Sequence, residues 1–275
     1  MKISVITINY NNATGLRKTA ASVLGQTYAD FEYLIIDGGS TDGSREIAEE
    51  LAPRLGYWCS ETDGGIYNAM NKGVGHAKGD YLLFLNSGDT LSDAKVLESI
   101  ARELDGTDIV YGNLLFRYPR PKKDFYRVYP DELTAGFFLK DSLPHPASFI
   151  RRKLLVDTPY NETYRIVADW EFFCRKIVID NCSTRHVDLC VADFAVDGVS
   201  ADHSKADAEK EFGINSLFAP KLRDALCAQG ATEACGLTDE IIALGNTRKL
   251  RKRLRGLLKG LIRSVLYIDN ALKRH

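Results

Sequence analysis

The chain has 275 residues, of which 45% are hydrophobic and 27% charged, a composition that is typical of soluble globular proteins and excludes intrinsic disorder. Its formal net charge is −1, but residues 248–275 carry ten Lys and Arg against one Asp, which leaves 26 basic and 36 acidic residues in the remainder. We expect neither a signal peptide nor a transmembrane span, because the sequence lacks the apolar core of the first and an uninterrupted apolar run of about 18 residues for the second.

Strands and helices alternate along the first 110 residues. Apolar runs predict strands at residues 3–8, 33–36, 57–58 and 81–85. Helical spacing follows each strand, at Leu16, Ala20, Val23 and Leu24, at Ile47, Ala48 and Leu51, along residues 66–75, and at Val96, Leu97, Ile100, Ala101 and Leu104 after a cap at Ser92 or Asp93. The alternation predicts an α/β fold with a mostly parallel sheet covered by helices on both faces.

Oxygen-bearing side chains stand at the ends of three of these strands. Asp37 follows the second strand, Asp63 the third, and Asn86 and Asp89 the fourth, in the stretch GDYLLFLNSGD at residues 79–89. Each of them can also be an ordinary turn residue. In open α/β sheets, however, ligands bind outside the carboxyl ends of the strands, and this recurrence therefore predicts a phosphate or cation site.

The order and spacing of four motifs carry a family resemblance. SVITINYNN (4–12), YLIIDGGSTDGS (33–44), SETDGGIYNAMNKG (60–73) and FLNSGD (84–89) together resemble the family 2 glycosyltransferases of bacterial polysaccharide biosynthesis. The resemblance implies the Rossmann-like fold called GT-A. It also implies a nucleotide-sugar donor, expected to be a UDP-sugar, and transfer that inverts the anomeric centre.

By the same resemblance, several positions are assigned to the donor site. The implied donor-binding residues are Thr7, Asn9, Tyr10, Asp37, Asp63, Asn71 and Asn86. NSGD would occupy the place of the family's DxD metal motif, with Asp89 holding Mn²⁺ or Mg²⁺. Asn86 and Gly88 stand where the family commonly has carboxylates, and Asp89 is therefore the only anion of the motif. One carboxylate can suffice for Mg²⁺, which keeps waters and takes substrate phosphates as ligands.

The candidate catalytic base lies in NETYRIVADWEFFCRKI, residues 161–177. A helix is predicted from Ala168, with Asp169 in its first turn, where the helix dipole favours the ionised form. Asp169 could be only a favourable first-turn acid, but the resemblance assigns the base to it, with Glu171 as the second candidate. Such a base takes the proton of the attacking acceptor hydroxyl.

Two histidines are further candidates. His145 precedes a predicted strand and short helix within residues 144–155, and His203 follows in DGVSADHS. The resemblance places the first near donor phosphates or acceptor, and the second could approach the diphosphate from a loop. Residues 108–116 predict another strand, whereas residues 117–143 could be either an acceptor-side flap or a covering loop.

The basic tail, residues 248–275, has apolar residues at helical spacing opposite a basic face. It could pack on the acidic body, but we favour an interfacial helix on an anionic membrane. Nucleic acid is not expected, since the basic residues lack interleaved aromatics and a binding motif. The six cysteines form no metal-ligand pattern, which favours reduced thiols. The expected location is therefore the cytoplasm, peripheral to the inner face of the cell membrane.

Taken together, residues 1–200 are predicted to form the GT-A domain, with a donor half at 1–110 and an acceptor half at 111–200. Residues 201–275 form the predicted helical extension. The predicted activity is metal-dependent hexosyl transfer to a glycan or lipid-linked glycan. The alternatives are a sugar-1-phosphate nucleotidyltransferase, whose early glycine-rich loop is missing from TINYNNAT (7–14), and an inactive sugar-nucleotide-binding scaffold at a membrane.

Overall fold

A computed structural model describes residues 2–119, 121–196 and 203–222. Contacts divide the chain into two compact units, Met1–Phe218 and Ala219–His275, and the features reported below lie in the first unit. The predicted tail helix at 248–275 lies outside the described residues. The domain boundary near residue 200 stays a prediction.

Strands and helices alternate up to residue 84, as the sequence predicts, and a short strand at residues 90–91 then precedes the next helix. The strands are β1 (Ile3–Asn9), β2 (Phe31–Asp37), β3 (Tyr57–Ser60), β4 (Tyr81–Phe84), β5 (Thr90–Leu91), β6 (Ile109–Arg117), β7 (Phe125–Arg127), β8 (Ser148–Arg151) and β9 (Thr184–Ala195). The helices are α1 (Ala13–Leu24), α2 (Ser44–Leu51), α3 (Ile66–His76), α4 (Val96–Ala101), α5 (Ala135–Lys140), α6 (Arg152–Asp157), α7 (Ala168–Cys174) and α8 (His203–Leu217). A π-helical turn, Arg175–Ile179, continues α7.

One mixed sheet joins the strands in the order β3-β2-β1-β4-β8-β6-β9-β5, with β7 added beside β6. The first four strands in this order are parallel, and β8 is antiparallel to β4. Beyond β8, the pairs β8–β6, β6–β7 and β9–β5 are antiparallel, whereas the pair β6–β9 is parallel. The parallel half thus comes entirely from residues 1–84, and all its carboxyl ends meet at one edge.

The apolar strand sequences follow from burial in the middle of the sheet. Every residue of β1 is buried, because β2 and β4 flank it and helices cover it. Gly73 lets α3 approach closely, since a Cβ there would lie 2.6 Å from Cγ2 of Ile6. A continuous apolar run is what a strand buried on both faces requires.

The second half departs from the sequence prediction in two places. The predicted cap of α4 at Ser92 or Asp93 is wrong, because β5 pairs with β9 and Ser92 donates to the carbonyl of Cys190. The helix begins only at Val96 and ends before Leu104. The long strand β9 was also not predicted. It pairs with both β5 and β6. Because β5 directly follows the NSGD turn, β9 places the edge of the sheet beside that turn.

The segment 117–143 has regular structure of its own. It contains β7, which forms a hairpin with β6, and the short helix α5. Phe125 and Val128 are more than half exposed on this hairpin. Whether it contacts an acceptor stays a prediction. Across the described residues, every helix is too short or too polar to cross a membrane.

Candidate active site

The carboxyl ends of β1, β2 and β3 bring three polar residues into register. Asn9 pairs with Asp37, and Asp37 with Ser60, across the parallel strands. Asn9 Nδ2 donates to Asp37 Oδ1 over 2.6 Å, and the Ser60 hydroxyl donates to Asp37 Oδ2 over 2.6 Å. Ser40 adds its backbone N–H and its hydroxyl. Of the strand-end residues predicted from the sequence, Asp37 is the centre of a connected hydrogen-bond network, which joins it to Asn9, Ser40 and Ser60.

Asp37 is held as a carboxylate by this network. Its side chain is completely buried, and burial raises its pKa. The hydrogen bonds from Ser40, Ser60 and Asn9 outweigh burial and lower the pKa below its ordinary value, because they favour the charged form. Asp37 thus carries a fixed negative charge at the bottom of the edge.

Tyr10 and Asp63 both approach the Gly38 backbone closely. A Cβ at Gly38 would lie 2.8 Å from Asp63 Oδ2 and 3.1 Å from a ring carbon of Tyr10, and a larger residue would therefore displace these side chains. Tyr10 is 68% exposed, and its ring is available for stacking. Thr7 is different, because it is fully buried and its hydroxyl accepts from the Tyr33 phenol. Contact between Thr7 and a base stays a prediction.

The NSGD turn is anchored from α1. The Thr19 hydroxyl donates to the Asp89 carbonyl over 2.6 Å and accepts from the Gly88 N–H over 3.0 Å. Asn12 Nδ2 donates to the Ser87 carbonyl over 2.9 Å. Gly88 has a φ of +111°, which L side chains rarely adopt. The turn therefore has one defined conformation, set by two side chains of the preceding helix region.

Asp89 is 4% exposed, and its Oδ1 accepts from the N–H of Ala195 at the end of β9. The side-chain oxygen of Asn86 is buried without a hydrogen-bond partner. Both are hard oxygen ligands, the type that Mg²⁺ and Mn²⁺ take. Among residues 2–119, 121–196 and 203–222, no three His, Cys, Asp or Glu side chains form a metal cluster. The residues therefore fit an ion that takes few protein ligands and completes its shell with phosphates and water.

His145 joins the NSGD turn to the predicted base. Its Nε2 lies 3.2 Å from Asn86 Nδ2, and its Nδ1 lies 3.2 Å from Asp169 Oδ2. An amide N–H donates, and this pairing places the imidazole proton on Nδ1, directed at the carboxylate. His145 and Asp169 side chains are 15% and 17% exposed. His203 is the first residue of α8, and its side chain lies outside the described residues.

The two candidate bases have different surroundings. Asp169 contacts His145 and also accepts from the Tyr67 phenol over 2.9 Å. Glu171 is 5% exposed and pairs with Arg175 one turn further along the same helical segment. Only Asp169 is therefore connected to the NSGD turn through described hydrogen bonds. This geometry favours Asp169 over Glu171 as the residue that contacts a substrate hydroxyl.

Asn71 is placed away from this path, on α3. Its Nδ2 donates to the Tyr160 carbonyl and its Oδ1 accepts from the Tyr160 N–H, over 2.9 and 3.0 Å. Nδ2 also reaches Glu162. Asn71 therefore holds the segment that leads into α7. Its predicted donor contact stays a prediction.

Two unpartnered polar atoms lie at this edge. In the part of the chain that the structure describes, four buried side-chain nitrogen or oxygen atoms lack a hydrogen-bond partner. Asn9 Oδ1 and Asn86 Oδ1 lie at the carboxyl ends of β1 and β4, whereas the other two are the Tyr160 hydroxyl, which is packed among aromatic rings, and Arg152 Nε. Buried polar groups are normally paired, and the two amide oxygens therefore mark a place where a ligand can supply partners.

Three contributors to the site were not predicted from the sequence. Thr19 lies on the predicted apolar face of α1, and Tyr67 has the sequence position of a core residue of α3. Ala195 contributes only its backbone N–H. A threonine or tyrosine on an otherwise apolar helix face is a usable signal, because a buried hydroxyl needs a partner. A backbone donor such as Ala195 leaves no side-chain signal in the sequence.

Comparisons with known proteins agree on one family. The family model described as glycosyl transferase family 2 matches residues 4–173. A "PGL/p-HBAD biosynthesis glycosyltransferase" of Mycobacterium bovis is 37% identical over 198 residues, which cover 70% of this chain and 75% of the relative. An uncharacterised glycosyltransferase of Mycobacterium tuberculosis is 36% identical over 196 residues, with 70% and 74% covered.

Solved structures share the fold at low sequence identity. S. aureus TarS 1-349 in complex with UDP-GlcNAc superposes with a TM-score of 0.63 at 18% identity, covering 91% of this chain and 78% of that one. The mannosyltransferase PcManGT from Pyrobaculum calidifontis, in complex with GDP-Man and Mn²⁺, gives 0.56 at 16% identity, covering 90% and 81%. The architecture is therefore that of the GT-A glycosyltransferases.

Proposed function

Since the chain belongs to glycosyl transferase family 2, we propose that it transfers a sugar from a UDP-sugar to a hydroxyl of a glycan or lipid-linked glycan, with inversion. The observation that carries this proposal is the path from Asn86 through His145 to Asp169. His145 thus contacts the NSGD turn, which is assigned to the diphosphate, through one ring nitrogen, and it contacts Asp169, the assigned base, through the other. Inversion needs the attacking hydroxyl and the leaving group on opposite sides of the anomeric carbon.

The donor half of the edge supports a nucleotide ligand. Tyr10 offers an exposed ring beside Asp63. The buried carboxylate of Asp37 already accepts hydrogen bonds from Asn9, Ser40 and Ser60, and it supports the donor site by fixing these side chains and by its negative charge. The unpartnered Asn9 Oδ1 is an acceptor for a ligand. We choose UDP because TarS, whose fold this chain shares, is solved with UDP and UDP-GlcNAc. GDP-Man in PcManGT makes guanosine the donor to test against it.

Asp169 takes the acceptor proton in the proposed reaction. The acceptor oxygen attacks the anomeric carbon as its proton passes to the carboxylate, and the bond from that carbon to the diphosphate oxygen breaks with its electron pair. A carboxylate has about four lone-pair positions, and hydrogen bonds from Tyr67 and His145 leave capacity for the substrate. The Nδ1 proton of His145 keeps Asp169 facing the site. General-base assistance of this kind contributes about 10²- to 10⁴-fold.

The negative charge that develops on the diphosphate needs stabilisation. Asp89, with Asn86 beside it, would hold Mn²⁺ or Mg²⁺, and the bound ion would stabilise charge on the leaving diphosphate as a Lewis acid. The chain's own part is the fixed geometry of the turn, which Thr19 and Gly88 set. We propose metal dependence on this basis.

The acceptor side is proposed from charge. The basic tail at 248–275 suits an anionic membrane surface, each Lys or Arg near it contributing about 1 kcal/mol. Docking there would bring a peripheral cytoplasmic enzyme to lipid-linked acceptors on the inner face of the membrane.

A thermal-shift screen tests the donor. UDP-, GDP-, dTDP- and CDP-sugars are added with Mn²⁺, and the UDP compounds should raise the melting temperature most, because a ligand that binds only the folded state stabilises it. Stabilisation by GDP-mannose alone would replace UDP in the proposal.

Asp169→Asn tests the base. UDP release from the donor selected by the screen should fall about 10²- to 10⁴-fold, while the thermal shift produced by the donor persists. The matched control is Asp180→Asn, an acid that pairs with Lys176 beyond the site. Undiminished turnover in Asp169→Asn would overturn the assignment, and a wild-type protein that binds the donor without turnover would be a scaffold.

A further inference from the structure

Tyr67 ties the predicted base to the donor-side helix. The residue lies in the first turn of α3, immediately after the Asp63-Gly64-Gly65 loop, and its side chain is 5% exposed. Its phenol lies 2.9 Å from Asp169 Oδ1 and 2.5 Å from the Ile166 carbonyl oxygen. One hydroxyl therefore contacts both the carboxylate and the backbone turn from which α7 begins.

The two oxygens of Asp169 are held from different elements. Tyr67 on α3 contacts Oδ1, and His145, just before β8, contacts Oδ2. Tyr160 is a third titratable neighbour, buried beside Tyr67 with ring centroids 5.6 Å apart. The two contacts together fix the rotation of the carboxylate, whereas either alone would let it turn.

The phenol remains a hydrogen-bond donor throughout the working pH range. Burial, reinforced by the negative charge of Asp169, raises the pKa of Tyr67 well above its ordinary value. The phenol has one proton and two acceptors within reach, the Ile166 carbonyl at 2.5 Å and Asp169 Oδ1 at 2.9 Å. A bond donated to a carboxylate is charge-assisted and about twice as strong as a neutral one, and the ionised acid therefore competes well for this proton and is restrained by it.

We propose that Tyr67 is a positioning residue, which aims the Asp169 carboxylate at the acceptor hydroxyl and connects it to the loop that carries Asp63. The inference rests on the proposed function, in which Asp169 is the base. It goes further by making base alignment depend on α3, the helix that follows the donor loop. Tyr67 itself touches no substrate in this mechanism.

Tyr67→Phe removes the hydroxyl and keeps the ring. The assay is UDP release from UDP-glucose, UDP-galactose and UDP-N-acetylglucosamine with Mn²⁺, where water is the acceptor. We expect kcat to fall about 10- to 100-fold, because displacement of a reacting group by about 1 Å costs up to 10²-fold. KM for the donor should stay unchanged, because Tyr67 does not bind it.

Tyr160→Phe is the matched control. Tyr160 is equally buried and adjacent, but its hydroxyl has no hydrogen-bond partner. This variant should keep the wild-type kcat. Equal losses in the two variants would mean that tyrosine hydroxyls act here through packing, and would overturn the proposal.

A crystallographic readout separates positioning from a structural role. A crystal structure of Tyr67→Phe should show the Asp169 side chain rotated from its wild-type position. An unmoved carboxylate would overturn the proposal even if no donor is turned over.

Asp169→Asn, measured in parallel, distinguishes the two possible failures. If Asp169→Asn is inactive and Tyr67→Phe is fully active, the positioning role fails and the base assignment stands. If Asp169→Asn keeps full activity, the base assignment itself fails, and the Tyr67 role fails with it.

Discussion

A single carboxylate, Asp89, carries the charge of the NSGD turn. Its neighbour Asn86 contributes only an amide oxygen, and β9 already uses one Asp89 oxygen through the Ala195 N–H. A metal at this site would therefore depend on substrate phosphates for much of its ligand shell. We expect metal and nucleotide to bind together, each weakly without the other.

Asp89→Ala should remove this coupling. Calorimetry of UDP binding with and without Mn²⁺ should show strong metal dependence in the wild type and little in the variant, because the only anionic ligand is lost. Asp93→Ala is the control, since Asp93 is an exposed acid of the same region whose side chain accepts from the Lys95 backbone N–H, away from the NSGD turn. Equal UDP affinity with and without Mn²⁺ in the wild type would contradict the metal site.

Asp37 makes stability depend on pH. Its folded-state pKa lies below the ordinary value of 3.8. The stabilisation by its hydrogen bonds is therefore complete above about pH 4 and is lost as pH falls through the folded-state value. Asp37→Asn should be less stable than wild type at pH 7, by about 1–3 kcal/mol. Urea unfolding at pH 7 and pH 3 should show this gap shrinking on acidification, and a constant gap would contradict the assignment.

At the scale of elements, the NSGD turn depends on α1 and on one backbone conformation. Gly88→Ala leaves ordinary space for the methyl group, with the nearest atom 3.5 Å away, but keeps the φ of +111°. Strain of this kind costs of order 1–3 kcal/mol. Thermal unfolding should therefore show destabilisation, together with weaker Mn²⁺-dependent UDP binding.

Gly75→Ala provides the opposite control. Gly75 is an exposed position of α3 with nothing within 4 Å of a new Cβ. Alanine should stabilise the helix by about 0.5–1 kcal/mol. Two glycine substitutions of equal size should thus change stability in opposite directions. Destabilisation by both would show that turn strain is not the cause at Gly88.

The sequence predicts some elements much better than others, for a physical reason. The parallel strands β1, β2 and β4 are buried on both faces, and their continuous apolar runs mark them clearly. β9 is mostly half-buried and mixes polar with apolar residues, and its sequence is therefore ambiguous. α4 starts late because residues 90–91 pair with β9, a partner 100 residues away that local spacing cannot reveal.

The same distinction applies to the site. Asp37 and Asp63 were predicted because they recur at strand ends, and the family motifs led to Asp169. Asn71 lies in one of the family motifs and was predicted to bind the donor, but its side chain bonds to the backbone of Tyr160. Thr19 and Tyr67 act through hydroxyls on helices, and only the tertiary packing decides what such a hydroxyl meets. Residue type predicts the chemistry available, whereas partners at long range require the structure.

At the scale of the whole molecule, charge is divided between the body and the tail. Residues 248–275 have nine more positive than negative charges, and the remainder is acidic by ten. An acidic body is repelled by an anionic bilayer, and in the proposed membrane docking the attraction therefore comes from the tail.

Removal of residues 248–275 should abolish cosedimentation with vesicles of phosphatidylcholine and phosphatidylglycerol. Binding of the full chain should weaken as salt rises, because screening reduces each contribution of about 1 kcal/mol per basic residue. Pure phosphatidylcholine vesicles are the control and should bind neither protein. Vesicle binding that survives truncation would place membrane attachment in the body.

The bond between Asp89 and the Ala195 N–H joins residues that are 106 positions apart. On the ribosome, the donor-side strands are complete long before β9 exists. At a synthesis rate of roughly 5–20 residues per second, the interval between the addition of Asp89 and the addition of Ala195 is about 5 to 20 seconds. A nascent chain can therefore form its parallel half early, but the NSGD turn obtains its contact with β9 only after residue 195 has been synthesised, and ligand binding at this turn can stabilise only intermediates that already contain β9.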